Sequence, residues 1–358
     1  MTDIANPEVP PPMTVAPPTT VGGAIDLATR LLEASGVPHA RAVVTATAIV
    51  QAEVWRLGSH GLMRLPYYLQ RLSAGGCRAD AELTTVVDTG ALISLDGGGG
   101  LGHWQLWEAA QVAANRCAEH GIAAVAVGDS SHCGALGVYL LPLLRNGLAG
   151  MVFSNGPAVM PPWGGATTVV STSPLAFGFP TGDGIAIVDL ASSAVARGKI
   201  AQLAAAGKSV PAGWALDAAG QPTTDSRAAL TGMLAPLGGA KGFALAFAVE
   251  ALTGGLVGPT LATDVADMFA GDQAASRQGI SHLVIALDPA RLSPSGNAIA
   301  RLDDLTDKVR EAGGRVPGSG RVDIRDIASE TSLAVDPRVA AELAEWADRL
   351  AVMPNDAP

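Results

Sequence analysis

The sequence predicts an α/β protein, with a mixed sheet packed between helices and largely helical N- and C-terminal parts. Short β-branched runs recur through the middle of the chain: "TTVVD", "ALISLD", "IAAVAVGD", "GMVFSN", "TTVVSTS" and "IAIVDLASS". Several are apolar at successive positions rather than alternate ones, as in strands covered on both faces. Segments with apolar residues at helical spacing precede, interrupt and follow these runs.

Taken in order, residues 1–21 open with six prolines among the first twenty positions (Pro7, Pro10, Pro11, Pro12, Pro17 and Pro18) and little apolar bulk. They read as a disordered, polyproline-like tail. Ile25, Leu27, Leu31 and Leu32 ahead of Gly36 predict a helix with a glycine C-cap. An Ala- and Val-rich helix is expected from His39 to Leu57, and a third after Pro66 with Tyr67, Leu69 and Leu72. Between the second and third strands, Trp104, Trp107, Ala110, Ala114 and Cys117 form one stripe of a helix from about His103 to Glu119. Downstream, "SHLVIALD" predicts a strand, residues 303–312 a helix, and residues 337–351 a final helix.

Composition narrows the function. Of 358 residues, 48% are hydrophobic, which excludes a disordered chain. The 23 basic and 33 acidic residues give a net charge of −10, the wrong sign for a nucleic-acid partner. No stretch reads as a membrane span; Gly242–Pro259 is the longest candidate, and Glu250 and its glycines interrupt it. Asp3 and Glu8 stand where a secretory signal needs cations. Cys77, Cys117 and Cys133 lack paired spacing, so neither a disulfide framework nor a metal site is expected, and a reducing cytoplasm is.

Five segments carry candidate chemistry. Gly97-x-Gly99-x-x-Gly102 fits a dinucleotide fingerprint between a strand and a helix, although a glycine run fits many patterns and a flexible turn is the simpler reading. In "GSHGLMRLPYYLQRL", His60 lies between glycine neighbours, an uncrowded imidazole able to transfer protons near neutral pH. Arg64 could fork onto a substrate carboxylate, with Ser59 and Tyr68 nearby; a capping His and a solvated Arg are the plainer alternative. In "GDSSHCGALGVY", His132 emerges at the C-terminal end of a strand, where ligands collect in open α/β sheets. Cys133 reads as a packing thiol. In "VDLASSAVARGKI", Asp189 could cap the following helix, meet a ribose hydroxyl or orient a histidine. Lysine is scarce: there are four, and Lys241 stands at the N-terminus of an apolar helix of sixteen residues. A cation where the helix dipole favours anions suggests a shared anion such as a cofactor phosphate, with an ion pair as the alternative.

Together these segments resemble the malate/L-lactate dehydrogenase family that lacks the Rossmann fold, over roughly residues 22–350. The resemblance rests on "SHGLMRLPYYLQRL", "SSHCGALGVY", "PPWGG", "STSPLAFGFP", "DLASSAVARGKI", "GWALDAAGQPTTD" and "PLGGAKGFALAFAVEALTG", in that order. It implies a three-layer α/β/α fold with a mixed sheet, a homodimer, and hydride transfer between NAD or NADP and a small 2-oxo or 2-hydroxy acid. Cyclic-imine reduction and ureidoglycolate oxidation are the alternatives within the family. His60 and His132 would be the two candidate proton donors, Arg64 the carboxylate clamp, and Ser59 and Tyr68 pocket residues. Asp189, Leu190, Ala191, Ser192 and Lys241, with the late turn Gly318, Ser319 and Gly320, would hold the cofactor. Residues 131–264 would form the cofactor-binding domain, and 22–130, completed by 265–358, the substrate and dimerisation part. Ser171–Pro174, Ala166, Ser319 and Cys133 depart from the family pattern and leave substrate and cofactor preference open. The same comparison makes the glycine fingerprint at 97–102 accidental.

Overall fold

The computed structural model describes residues 18–182, 184–267 and 271–352. The Pro-rich tail thus lies outside the described residues through position 17. Helix α1 (Val21–Ala34) starts under a Thr20 cap, whose hydroxyl accepts the Gly23 N–H at 3.1 Å. Helix α2 (His39–Val54) ends three residues before the expected Leu57, because Arg56 turns left-handed (φ 61°). That early stop frees Gly58–Arg64 to fold as two tight helical turns ahead of α3 (Leu65–Ala74).

The strands β1 (Thr84–Asp88), β2 (Leu92–Asp96) and β3 (Ile122–Ser130) follow, with α4 (Gly102–His120) between the last two. Next come the short α5 (Leu141–Leu144) and the strands β4 (Ala149–Ser154), β5 (Leu175–Thr181) and β6 (Gly184–Leu190). A smaller unit holds α6 (Arg197–Ala205), β7 (Ala215–Leu216), β8 (Pro222–Thr223), α7 (Ser226–Thr231), β9 (Met233–Leu234) and α8 (Ala240–Glu250). Strand β10 (Ile280–Leu287), α9 (Pro289–Leu292), α10 (Ala298–Glu311) and α11 (Pro337–Arg349) close the chain.

The main sheet has the order β1-β2-β3-β10-β4-β5-β6. Only β2 and β3 pair in parallel; every other neighbour is antiparallel, so the sheet is mixed. Its two faces separate by strand alternation. Val152, Val284 and Ala286 pack with Leu106, Ala110 and Cys117 of α4. Phe153, Leu283 and Ile285 pack against Val249 of α8 and Leu252 beyond it. Helices therefore cover both faces in three layers. Another core joins α1, α2 and α3 to α11 through Leu31, Ile49, Leu69, Leu343 and Trp346.

One expected strand does not form. In "TTVVSTS", Val170 makes a single bridge to Met160, and the Ser171 hydroxyl accepts the Ser173 N–H at 2.9 Å. Local serine bonding replaces a ladder there. The neighbouring "LAFGFPT" supplies β5 instead, despite a glycine and a proline that weaken a strand signal. Gly178 lies against Leu140, where a side chain would be crowded, and pairing with β4 runs only from Leu175 to Gly178, short of Pro180.

Candidate active site

The turn after α2 places its side chains through Glu53, whose Oε2 accepts the Leu62 N–H at 3.0 Å. Within that turn, Ser59 Oγ lies 3.0 Å from His60 Nδ1, and Arg64 Nε donates to the Ser59 carbonyl at 2.9 Å. The loop after β3 brings in His132, whose ring lies 6.2 Å from that of His60 at 22°. Tyr68, buried on α3, approaches His132 Nδ1 at 2.8 Å. Ser59, His60, Arg64 and Tyr68, from one stretch of chain, thus meet His132, 64 residues beyond Tyr68, at one place.

The Gly134 N–H also donates to His132 Nδ1, at 3.3 Å. An amide cannot accept, so Nδ1 carries the lone pair and Nε2 the proton. Burial raises the Tyr68 phenol well above its usual range, which keeps it a donor to the same nitrogen. Burial, then the nearby His60 and Arg64, hold the His132 imidazole well below the ordinary histidine value. His60 is lowered to about 4 by burial and by Arg64. The expectation of an uncrowded His60 titrating near neutrality is therefore corrected: the turn packs it half-buried beside a cation.

Sequence reasoning missed three neighbours. Gln278 accepts the His132 N–H at 3.1 Å through Oε1 and donates to Tyr67 Oη at 3.1 Å through Nε2. His103, 1% exposed, sits edge-on to the Tyr68 ring with centroids 4.6 Å apart, and burial lowers it to about 3. His282 spans Ser154 Oγ at 2.9 Å and the Ser131 carbonyl at 3.3 Å. Gln278 and His282 act from 146 and 150 residues downstream of His132, beyond any local motif.

Of the second group of expected residues, Asp189 reaches the loop that carries His132. Asp189, on β6, accepts the Gly137 N–H at 3.0 Å and lies 3.8 Å from Arg321. It neither caps α6, whose N-cap is Ala196, nor touches a histidine, which corrects two of its expected roles. Burial raises its carboxyl above the usual range. The late turn docks on the same strand: Ile187 N donates to the Pro317 carbonyl at 3.0 Å, and Gly318 abuts Ile187 too closely for a side chain. Ser319 and Gly320 are exposed beside it. Past Leu190 and Ala191, the Ser192 hydroxyl is spent on the Thr172 and Ser173 carbonyls, while its own carbonyl accepts the Leu237 N–H at 2.8 Å. That bond ties the strand end to the turn before Lys241.

Lys241 is exposed in the first turn of α8, and no carboxylate pairs with it among the described residues. Gly239 caps that helix without a side-chain bond, leaving first-turn amides as donors. An ammonium beside open helix amides fits a dinucleotide phosphate. Gly97–Gly102 does not: the N–H groups of Gly97, Gly98, Gly99, Gly100 and Gly102 all bond within the chain, to Gly128, Asp96, Asp129, Gly97 and Ser131. No glycine amide there is left for a pyrophosphate. Among the described residues, no cluster of three or more His, Cys, Asp or Glu could hold a metal, and no helix is long and apolar enough to cross a membrane.

The sequence model of the malate/L-lactate dehydrogenase family matches residues 22–344. A (2R)-3-sulfolactate dehydrogenase (NADP(+)) from Chromohalobacter salexigens is 40% identical over 323 residues, covering 90% of this chain and 95% of that protein. A Δ1-pyrroline-2-carboxylate/Δ1-piperideine-2-carboxylate reductase from Pseudomonas aeruginosa is 33% identical over 321 residues, covering 89% and 96%. The solved structure of a sulfolactate dehydrogenase from Methanocaldococcus jannaschii superposes with a TM-score of 0.85 at 27% identity, covering 94% of this chain and 98% of that one.

Proposed function

We propose a function from one premise: this chain belongs to the malate/L-lactate dehydrogenase family. It is an NAD(P)-dependent oxidoreductase that transfers a hydride between nicotinamide and a small carboxylate substrate. Our reading of the substrate is a 2-oxo/2-hydroxy acid pair with a second anionic group, of the sulfopyruvate/sulfolactate kind, with NADPH as the preferred reductant. The 40% identity to the sulfolactate enzyme supports both choices. The second reading, a cyclic imine carboxylate, is supported by the 33% identical reductase.

The observation that carries the site assignment is the His132 tautomer. With Nδ1 occupied by Tyr68 and Gly134, its Nε2–H is a fixed donor for the substrate oxygen as that atom gains charge. The proton itself is assigned to His60, whose Nδ1, among the described residues, meets the Ser59 hydroxyl alone, a group that can donate or accept. Arg64 binds the substrate carboxylate. That anion offsets the Arg64 charge beside His60 and makes its protonated form easier to reach. Ser59 and Tyr68 line the pocket. Bound nicotinamide supplies or takes the hydride. Asp189, Leu190, Ala191, Ser192, Lys241 and the turn Gly318–Gly320 hold the dinucleotide, with Lys241 and the α8 amides on phosphate.

Residues 131–264 form the cofactor-binding part, and 22–130 with 265–358 the substrate part. The proposed assembly is a homodimer, and the proposed compartment the cytoplasm, which the free cysteines Cys77, Cys117 and Cys133 suit. A panel assay tests the reading. NADH and NADPH absorbance is followed with sulfopyruvate, oxaloacetate, pyruvate and the two cyclic imines. The highest kcat/KM is expected for sulfopyruvate with NADPH; a higher value for an imine selects the second reading, and no turnover on any of them rejects both.

A further inference from the structure

Arg71 lies on α3, one turn beyond Tyr67 and Tyr68, and is 2% exposed. No carboxylate pairs with its guanidinium among the described residues. It donates instead to carbonyls: Nη2 to Gly76 and Ser276 at 2.7 Å each, and Nη1 to Gln273 at 3.5 Å. Nε is buried with no partner among the described residues. Burying an unpaired cation costs several kcal/mol, and an apolar side chain of equal length would be cheaper to bury. Packing alone therefore does not account for a guanidinium here.

Its carbonyl partners at 273 and 276 belong to the segment that leads into Gln278, the residue bonded to the His132 N–H and to Tyr67 Oη. Gln278 is 1% exposed. Between them, Arg277 pairs with Asp129 at 2.5 Å, and Asp129 holds a left-handed backbone (φ 49°) where the His132 loop leaves β3. The segment thus grips the His132 loop at Asp129 and at His132 itself, and Arg71 grips the segment.

We infer that Arg71 is a positioning residue: its guanidinium, through the carbonyls of Gln273 and Ser276, holds Gln278 on the His132 backbone and so sets the direction of the His132 ring. The inference rests on the role proposed for His132, but its geometry can be tested without turnover. The ring signals of His132 are followed by NMR in ligand-free full-length protein, assigned by their loss in His132→Ala. The variants are Arg71→Lys, Arg71→Met, Gln278→Leu and the Arg71→Met/Gln278→Leu pair, and kcat and KM are measured on each.

The His132 signals are expected to move alike in Arg71→Met and Gln278→Leu. They should move less in Arg71→Lys, since an ammonium lacks the fork for all three carbonyls. kcat is expected to fall ten- to a hundredfold, on the order of what a displacement of about 1 Å costs, with cofactor KM within twofold. The double variant should be no slower than the slower single one, because both changes break one linkage. If Arg71→Met does not fold, Arg71→Lys and Gln278→Leu carry the comparison. Unmoved His132 signals in folded Arg71 variants overturn the inference, as do losses that multiply in the pair. Shifted signals with no turnover in the parent enzyme reject the proposed function and leave the positioning role standing.

Discussion

At the scale of single residues, the two histidines differ in what their neighbours allow. His132 is locked as a donor by two groups that both point protons at Nδ1, whereas His60 faces a hydroxyl that can reverse. The free-enzyme value near 4 for His60 fixes the pH dependence. Reduction consumes a proton, so kcat/KM in that direction should fall about tenfold per pH unit from pH 5.5 to 8, as the protonated fraction falls. Oxidation needs the neutral ring and should stay flat over the same range. Initial rates in both directions check this, and His60→Ala should abolish the slope in reduction; a slope that survives in His60→Ala would remove His60 from the role. The residues legible in the sequence were those inside compact local motifs: Ser59, His60, Arg64, Tyr68 and His132. Arg71, His103 and Gln278 were not, because a buried polar side chain acquires its meaning only from the partners that folding brings.

At the scale of elements, the turns do more to place the site than the helices and strands they join. Arg56 ends α2 early and so creates the Gly58–Arg64 turn. Gly102 starts α4 pressed on the His132 loop, where its N–H donates to Ser131 Oγ and a side-chain carbon would strike the Ser131 carbonyl. Gly102→Ala is expected to destabilise the protein by about 1–3 kcal/mol, the range for overpacking, and to lower kcat by moving that loop. Urea unfolding followed by fluorescence measures the first effect; unchanged stability would mean that the loop yields freely. Helices were legible because apolar spacing and glycine stops agree. Strand β5 was hidden, since Gly178 and Pro180 mask its pattern, while "TTVVSTS" looked like a strand until its serines bonded to one another.

At the scale of the molecule, the fold class was legible from doubly apolar strands, and the family from motif order. What neither supplied was the surface. Helix α8 packs Val249 on the sheet yet leaves Phe247 61% exposed, with Leu256 79% exposed just beyond its end. Exposed large apolar side chains such as these mark a contact surface, and a second copy of the chain is the occupant that the proposed homodimer requires. Sedimentation velocity should give a dimer for the parent protein and a monomer for Phe247→Glu; a monomeric parent rejects the assembly.

The position of β10 has a consequence for how the protein is made. It lies between β3, which ends at Ser130, and β4, which ends at Ser154, both far upstream of its start at Ile280, so the centre of the sheet stays open until the chain has been synthesised past Leu287. Long-range closure of this kind is slow and leaves strand edges unpaired meanwhile. Gln278 and His282 arrive with the same strand. On the ribosome, the event that closes the sheet is therefore also the one that fastens His132, and a nascent chain released before it would carry both histidines but no finished site.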